Sequence, residues 1–307
     1  MAMRWPGRSL SILIYHRVLA QPDPLLPDVV DARRFDRQMA LLRRSFNVLP
    51  LATAVRALRN GTLPPRAACV TFDDGYADNA EIALPILHAH GLSACFFIAS
   101  AYLDGGRMWN DDVIEYVRQA RGTELTLPGP DGFDGLKKLT IATPRDKVAA
   151  IGALLSALKY QPAARRQALV AAIAPAATPR LMMRSDQVVA LHRAGMEIGA
   201  HTASHPILAS VPDAAARADI VAGRAALEAL IDAPVRLFAY PNGKPGRDYD
   251  ARHTAMAAAL GFDAAVSTLP GVARAGADLF QLPRFTPWDR TRLRFWLRLQ
   301  HNIITST

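Results

Sequence analysis

The chain has 307 residues, half of them hydrophobic, and carries a net charge of +9. A chain of this size and apolar content can bury a large core, and α/β barrels of this length commonly form one domain. No apolar run approaches the roughly 20 residues of a membrane-spanning helix, and residues 1–8 lead into the first predicted strand without a signal-peptide core. The two cysteines, Cys69 and Cys95, lie in predicted core strands, which excludes the disulfide framework of a small secreted protein. We therefore expect a cytoplasmic protein.

Short apolar runs alternate with amphipathic stretches along the chain. The helical stretch after the first strand places Phe35, Met39 and Leu42 on one face. Another begins at Asp78, where Glu81 three residues later completes a capping-box pattern. This alternation of strand and helix predicts an α/β fold with a parallel sheet. The predicted strands cover residues 12–15, 67–72, 92–98, 196–200, 235–239 and 263–267, and the later helices cover 185–195, 213–231 and 249–260.

Residues from about 104 to 184 interrupt this alternation. A Gly/Pro-rich stretch at 127–135 lies there between helical pieces at 111–120, 145–158 and 163–173. The segment could be an outer helical addition, or a wall or lid over a site, and the residues alone leave both interpretations open. We interpret residues 1–307 as a single domain that carries this insertion and a basic, amphipathic tail from about 290 to 307.

Two motifs follow predicted strands and carry the groups of a metal site. TFDDG places two adjacent carboxylates, Asp73 and Asp74, after one strand, and HTASHP places His201 and His205 after another. Either motif alone is commonly turn chemistry or a pair of surface histidines. Because ligands gather at the carboxyl ends of parallel strands, the two motifs together predict a zinc site with three protein ligands and an open position.

Both motifs, with the proline that follows the second histidine, resemble those of the polysaccharide deacetylases, the NodB-homology domain of carbohydrate esterase family 4. The resemblance covers the chain from about Ile12 to about Arg284 and implies a distorted, incomplete (β/α) barrel with a helical insertion. It also implies a catalytic base beside a three-ligand site for zinc, and such a donor set would also accept cobalt or nickel. On this resemblance the base is Asp73, and the metal ligands are Asp74, His201 and His205.

The third motif departs from the usual pattern of this family. FAYPNG stands where the family has Arg-Pro-Pro-Tyr-Gly, so Ala239 occupies the place of the arginine that holds the base. Arg284, after another short apolar segment, is the best substitute, although a solvated or phosphate-facing arginine is an equal alternative. The backbone N–H near Asn242 keeps the role of oxyanion donor, because that role requires a positioned amide and no particular side chain.

The Leu-x-His motif that carries the general acid of the family is also missing. The only histidine after Asp289 is His301, which lies in the basic tail. An apolar run near the N-terminus instead ends in His16, as in the circularly permuted branch of the family that resembles deacetylases of poly-N-acetylglucosamine. That resemblance makes His16 the general acid, whereas a core histidine is the ordinary alternative for a lone histidine after a strand.

These residues imply a metal-dependent deacetylase that removes the N-acetyl group of an amino sugar in a glycan or glycan precursor. Two alternatives stay open. One is a metal-dependent hydrolase of another ester or amide, and the other is a non-catalytic glycan-binding relative that lost turnover with the missing arginine. A cytoplasmic location favours a biosynthetic intermediate, carried on a lipid or a nucleotide, as the substrate.

The positive charge predicts contact with anionic surfaces or phosphate-bearing substrates. No nucleic-acid-binding motif appears, so we expect no nucleic-acid partner. In the tail, a helix would place Leu293, Trp296 and Leu297 on one side and Arg294 and Arg298 on the other. This composition is typical of a helix that lies at the inner face of a membrane, and a terminal helix docked on the barrel is the alternative.

Overall fold

The computed structural model describes residues 8–128, 133 and 135–305. The start of the chain and part of the predicted Gly/Pro-rich stretch therefore lie outside the described residues. Two compact units can be distinguished, and the single-domain organisation stays a prediction. The barrel unit comprises Met1–Gln21, Asp28–Asp104 and Met182–Thr307, and the insertion unit comprises Pro22–Pro27 and Gly105–Leu181.

Short strands build the main sheet of the barrel unit, a small parallel sheet of β2 and β3, and a hairpin in the insertion unit. They are β1 (Ser9–Tyr15), β2 (Val18–Leu19), β3 (Val30–Asp31), β4 (Asn47–Val48), β5 (Ala67–Phe72), β6 (Cys95–Ile98), β7 (Glu124–Thr126), β8 (Lys138–Thr140), β9 (Glu197–Ala200), β10 (Leu237–Ala239), β11 (Ala264–Val266) and β12 (Ala273–Arg274). The main sheet has the order β11-β10-β9-β6-β5-β1-β12, with β4 beside β5. The pair β1 and β12 is antiparallel, and the other neighbours are parallel.

Helices connect the strands, as the alternating pattern predicts. They are α1 (Ala32–Ser45), α2 (Leu51–Arg59), α3 (Leu84–Ala89), α4 (Trp109–Gln119), α5 (Pro144–Lys159), α6 (Ala163–Ile173), α7 (Ser185–Arg193), α8 (Asp213–Ile231), α9 (Ala251–Ala259) and α10 (Arg292–Thr305). The predicted α/β class is confirmed, and α6 and α8 have the predicted bounds. Within the described residues, no helix combines the length and the apolar content that a membrane span requires.

The segment after Asp78 differs from the predicted capping box. It begins as a π-helical turn, Asn79–Ala83, in which the side chain of Asp78 does not cap the helix. The Asp78 carboxylate instead accepts hydrogen bonds from the Arg17 side chain (2.8 Å) and from the backbone N–H of Val18 (3.1 Å). The Glu81 carboxylate accepts one from the side chain of Gln187 (2.9 Å). The capping-box prediction is wrong because these tertiary partners occupy both carboxylates.

The main sheet is buried on both faces, as is usual for parallel strands covered by helices. Successive side chains of a strand point to opposite faces, so alternate residues of β5 enter different cores. Val70 and Phe72 join an outer core with the surrounding helices, whereas Cys69 joins an inner core with Phe97 and residues of α2. Both cysteines are free and buried, in agreement with their predicted place in core strands.

A segment without regular strand structure closes the sheet between β11 and β1. The backbone of Leu282 accepts a hydrogen bond from Ser267 (2.9 Å), directly after β11, and donates one to Ala265 of β11 (3.0 Å). Phe285 forms two, of 2.7 and 3.0 Å, with β1. Residues 282–285, which we call the closing segment, therefore bridge the two ends of the sheet, and the predicted distorted, incomplete barrel is confirmed.

The insertion unit has a hydrophobic core of its own. Val113 and Val117 of α4, Leu154 and Leu158 of α5 and Val170 of α6 are buried in it. The three helices correspond to the helical pieces predicted between residues 104 and 184. A role of this unit as a lid stays a prediction.

Candidate metal centre and active site

The motif residues follow the carboxyl ends of neighbouring parallel strands. His16 comes directly after β1, Asp73 after β5 and His201 after β9, and Asn242 lies in the turn after β10. The sheet neighbours β1, β5, β6, β9 and β10 are parallel, so these ends lie at one edge of the sheet. That edge is where α/β proteins bind their ligands.

Asp74, His201 and His205 form a compact cluster of metal-ligating side chains. Oδ1 of Asp74 lies 3.4 Å from Nε2 of His201 and 3.4 Å from Nε2 of His205. The ligand atoms of all three residues are within 4.8 Å of one another. Oδ1 of Asp74 is buried and accepts no hydrogen bond from any described residue. A buried carboxylate oxygen normally has a partner, so this atom is a strong candidate for binding a cation.

The second ring nitrogen of His201 fixes the orientation of its imidazole. Nδ1 lies 2.8 Å from the backbone oxygen of Ala239. A carbonyl oxygen only accepts, so Nδ1 carries the proton and Nε2 of the neutral ring keeps its lone pair toward Asp74. Outer contacts of this kind set the tautomer of metal-binding histidines. Ala239, which stands in place of the family arginine, therefore orients the His201 ring through its backbone oxygen.

Helix α8 holds the loop between the two histidines. The Asp219 carboxylate accepts hydrogen bonds from the N–H groups of Ala203 (2.8 Å) and Ser204 (2.9 Å) and from the Ser204 hydroxyl (2.5 Å). One helical turn later, a Cβ on Gly223 would overlap the backbone of Thr202. The backbone of α8 thus lies in contact with the backbone of the loop. This contact holds the loop that separates the two histidines.

Left-handed backbone conformations concentrate in the turns of the site. Within the described residues, seven residues other than glycine have a positive φ, and four of them are Asp74 (77°), Thr202 (62°), His205 (53°) and Asn242 (61°). Each such conformation costs roughly 1–3 kcal/mol and persists only where its surroundings enforce it. Their concentration here is typical of a functional site.

Arg284 reaches the carboxylate of Asp73 from the closing segment. Its two terminal nitrogens donate to the two carboxylate oxygens, each at 2.7 Å. Nε donates to the backbone oxygen of Ser267 (2.7 Å), and Nη1 also donates to the hydroxyl of Thr71 (3.2 Å). The Arg284 side chain is fully buried, which excludes the alternative of a solvated arginine. The bidentate pair occupies both oxygens of Asp73, and Asp74 is left as the carboxylate available to a metal.

Burial and charge act in opposite directions on the two adjacent carboxylates. Burial raises the pKa of Asp73, but the charges of Arg284 and His201 outweigh it and hold that pKa below its usual value. Burial also opposes ionisation of Asp74, but the neighbouring histidines, with His16 foremost, hold its pKa well below the ordinary range. Both carboxylates are therefore ionised at neutral pH.

The pKa values of His201 and His205 are shifted in opposite directions. Burial lowers the pKa of His205 to about 4, so this ring is neutral at pH 7 and offers a lone pair. Burial opposes protonation of His201 as well, but the carboxylates of Asp74 and Asp73 outweigh it and raise its pKa. A cation bound between these groups would likewise offset the negative charge of the two carboxylates.

His16 lies at the exposed rim of the site. Its backbone oxygen accepts a hydrogen bond from the Asn79 side chain (2.9 Å), which ties the end of β1 to the segment after β5. After burial, the charge of His16 is the largest influence on the pKa of Asp74, and it is a smaller influence on the pKa values of Asp73 and His205. Its exposure excludes the alternative of a core histidine.

Asn242 occupies a tight turn after β10. Its backbone oxygen accepts a hydrogen bond from the Thr268 hydroxyl (2.9 Å), and the N–H of Thr268 donates to the backbone oxygen of Gly243 (2.8 Å). No acceptor for the N–H of Asn242 is present among the described residues. This amide therefore has a free donor, and its role toward an oxyanion stays a prediction.

The donor set fits a divalent ion such as Zn²⁺. Two imidazole nitrogens and one carboxylate oxygen are close together and buried or nearly so. Zinc in catalytic sites commonly takes three such ligands and leaves a position open. The unpartnered Asp74 oxygen and the neutral ring of His205 are in the states that metal binding requires.

Comparison with protein families gives a match over more than half of the chain. The family model described as Polysaccharide deacetylase matches residues 60–125 and 156–265. The chain belongs to the polysaccharide deacetylase family. The matched residues include both the TFDDG and the HTASH motif, so the resemblance stated from the motifs is confirmed. Comparison with curated protein sequences gave no match.

Solved deacetylase structures share the fold of this member of the family at low identity. Streptococcus pyogenes deacetylase PplD in complex with acetate is 17% identical, with a TM-score of 0.65 over 95% of this chain and 98% of that chain. IcaB from Ammonifex degensii is 18% identical, with a TM-score of 0.60 over 97% of each chain. The BpsB deacetylase domain from Bordetella bronchiseptica is 16% identical, with a TM-score of 0.57 over 92% and 97%. These matches confirm the fold.

The sequence patterns did not predict the groups that support the metal-ligating cluster and Asp73 through contacts with their loops and partners. Asp219 and Gly223 lie four residues apart on α8, so they share one helix face, and that spacing was the available signal. Their partners, however, are backbone atoms of a loop, which leave no mark on the sequence. Thr71 was visible as the first residue of TFDDG, and its hydroxyl donates to the backbone oxygen of Leu13 (2.8 Å) while it accepts from Arg284.

The first prediction concerns the buried ion pair. Arg284→Gln leaves the charge of Asp73 buried without its partner, and such a loss costs roughly 3–5 kcal/mol. The double variant Asp73→Asn/Arg284→Gln removes the stranded charge, so its free energy of unfolding should fall less than that of Arg284→Gln. Urea unfolding of both variants measures the difference. Wild-type stability of Arg284→Gln would contradict a buried pair.

The second prediction concerns the support of the histidine loop. Asp219→Ala removes the acceptor of three hydrogen bonds, and loss of an outer contact commonly weakens metal affinity by about 10–100-fold. Zn²⁺ affinity of the metal-free protein, measured by competition with a chromophoric chelator, should fall accordingly. Asp213→Ala, on the same helix, removes a carboxylate that pairs with the exposed Arg252 and is the matched control. Equal affinities of the two variants would refute the role of Asp219.

Proposed function

We propose that the protein is a metal-dependent deacetylase that hydrolyses the N-acetyl group of an amino sugar in a glycan or glycan precursor. Membership of the polysaccharide deacetylase family supports the reaction class. The observation that carries the proposal is the placement of the Asp74, His201 and His205 cluster beside Asp73, whose carboxylate Arg284 holds. This is the arrangement that a metal-assisted hydrolysis requires.

Asp74, His201 and His205 would hold the metal ion, with zinc as the first choice and cobalt or nickel as substitutes. A bound ion of this kind acidifies water and polarises a carbonyl group. Asp74 contributes an oxygen that has no other partner among the described residues, and His201 contributes the nitrogen opposite its contact with Ala239. The protein thus presents two imidazole nitrogens and one carboxylate oxygen.

Asp73 would act as the general base that takes a proton from the attacking water. Its lowered pKa keeps the carboxylate ionised at neutral pH, and the bidentate contact with Arg284 fixes its orientation. The water oxygen then bonds to the acetyl carbon. Because Arg284 engages both carboxylate oxygens, the proton must go to a lone pair that remains on one of them.

Asn242 and His16 would complete the reaction on the substrate side. The backbone N–H of Asn242 donates to the carbonyl oxygen as negative charge develops on it. His16 donates a proton to the amide nitrogen as the bond between carbon and nitrogen breaks. Acetate and a free amine are released. The exposure of His16 at the rim suits a group that must meet a large substrate from outside.

Family membership supports an amino sugar as the substrate, and its carrier and chain length stay predictions, as does the cytoplasmic location. The rival of a non-catalytic glycan-binding relative was based on the missing arginine at Ala239. The contact of Arg284 with Asp73 supports a catalytic site and argues against this rival. A metal-dependent hydrolase of another ester or amide stays the alternative.

The third prediction tests the reaction itself. The purified protein should release acetate from N-acetylated amino sugars when Zn²⁺ or Co²⁺ is present, and a chelator should abolish the release until metal is restored. A substrate panel of oligosaccharides, lipid-linked sugars and nucleotide sugars measures the preference. Acetate release from O-acetyl esters alone would favour the alternative hydrolase. Full activity of a verified metal-free preparation would contradict the mechanism.

The fourth prediction separates the base from the ligand. Asp73→Asn should retain Zn²⁺ affinity near the wild-type level and lose about a hundredfold or more in turnover, because a general base is removed. Asp74→Asn should lose Zn²⁺ affinity, since it removes a ligand. Metal content by atomic absorption and acetate release are measured on the same samples. Equal loss of metal in both variants would show that the two roles are wrongly assigned.

The fifth prediction concerns His16 as the general acid. His16→Ala should slow acetate release from an amide by about a hundredfold. Hydrolysis of 4-nitrophenyl acetate should change far less, because nitrophenolate leaves without a proton. His301→Ala, which removes an exposed histidine in α10, is the matched control. An equal loss on both substrates, or a loss of Zn²⁺ affinity in His16→Ala, would refute the assignment.

A further inference from the structure

Exposed apolar side chains concentrate at the C-terminal end of the described chain. Within the described residues, seven large hydrophobic side chains are prominently exposed, and four of them are Trp288 (50%), Leu293 (65%), Leu297 (55%) and Ile304 (53%). Single exposed apolar residues are common, but a group of them in one segment marks an interaction surface. All four belong to α10 and the loop before it.

Helix α10 is apolar on two sides. Phe295, Leu299 and Ile303 are buried in the outer core, so one side packs on the barrel as the docked-helix alternative predicts. Leu293, Leu297 and Ile304 fall within about 40° of one another around the helix axis, at 100° per residue, and form a stripe on the exposed side. Docking on the barrel therefore accounts for one apolar face and leaves the other exposed.

A groove runs between α10 and α1 beside this stripe. It holds about 450 Å³ and is lined by Leu41, Arg44, Ser45, Arg292, Leu293 and Trp296. Trp296 packs edge to face on Phe46 with a centroid distance of 6.2 Å, which gives the groove a firm apolar floor. The groove and the stripe share Leu293, so they form one continuous surface.

Arginines surround this surface. The exposed side chains are Arg37 and Arg44 on α1, Arg290 in the loop before α10, and Arg292 and Arg294 at the start of α10. Within the described residues, no carboxylate forms an ion pair with any of these five. Asp289, the acid that lines the adjoining hollow, is already paired with Arg298 at 2.5 Å. The positive charge of the rim is therefore uncompensated.

Trp288 lies in the loop that leads into α10. The Arg298 guanidinium stacks on its indole ring at 4.2 Å from the centroid, which holds the ring in an exposed position. Tryptophan combines an apolar ring with a polar N–H and is enriched where membranes meet water. Trp288 therefore adds a side chain that is both apolar and polar at the edge of the stripe.

We propose that this surface, formed by α10, the Trp288 loop and the exposed arginines of α1, docks on an anionic phospholipid membrane. Leu293, Leu297 and Ile304 enter the boundary between headgroups and acyl chains, and the arginines contact lipid phosphates. An apolar stripe beside uncompensated cations complements such a surface. A second copy of the chain fits less well, because a two-fold axis would bring the same arginines face to face. The inference does not depend on the proposed function.

Vesicle co-sedimentation of the full chain tests the proposal. The protein should pellet with vesicles of phosphatidylglycerol and phosphatidylcholine in about a 1:2 ratio, and far less with phosphatidylcholine alone. Added salt should weaken the partition, since it screens the arginines. Arg44→Gln/Arg292→Gln should lower the partition by roughly fivefold for each arginine. Leu293→Ser/Leu297→Ser should lower it by about tenfold or more.

Matched variants control for charge and apolar content elsewhere. Arg193→Gln/Arg217→Gln removes two exposed arginines of α7 and α8, and Val221→Ser/Tyr160→Ser removes two exposed apolar groups, so both should partition like the wild type. Equal pelleting with neutral and anionic vesicles would overturn the proposal, as would wild-type partition of the variants in α10. A dimer in light scattering that Leu293→Ser/Leu297→Ser dissociates, without vesicle binding, would assign the surface to self-association instead.

Discussion

The guanidinium of Arg284 and the carboxylate of Asp73 meet inside the barrel, where neither side chain is more than 3% exposed. An unpaired ion at such a place costs several kcal/mol, so each group requires the other. The contact also joins two distant parts of the chain, because Asp73 follows β5 and Arg284 belongs to the segment that closes the sheet between β11 and β1. The same pair of hydrogen bonds therefore orients the Asp73 carboxylate and ties it to the closing segment.

The left-handed turn at Asp74 separates two adjacent carboxylates into different environments. Asp73 faces an arginine, and Asp74 faces two imidazole rings that lie 3.4 Å away. The strained conformation of His205 is supported by α8, which contacts the histidine loop through Asp219 and Gly223. The site is thus held by main-chain contacts as much as by its named side chains, which is how a rigid scaffold keeps ligands in place.

The fold class and the cluster of Asp74, His201 and His205 could be predicted because local patterns encode them. Strand and helix periodicities gave the α/β alternation, and each motif directly follows a strand. The sequence leaves the contact of Arg284 with Asp73 as one of two alternatives. The reason is that Asp73 lies 211 positions away and the closing segment has no strand pattern. The capping box at Asp78 failed for a related reason: Arg17 and Gln187 engage its two acids, and such tertiary partners are invisible to a local pattern.

The division of roles between Asp73 and Asp74 is the centre of this account. A crystal structure of the zinc-loaded protein, with anomalous scattering measured at the zinc edge, tests it most directly. We expect one ion bound by Asp74, His201 and His205, with Asp73 still in bidentate contact with Arg284. An ion bound by Asp73, or an ion located away from these three ligands, would contradict the account.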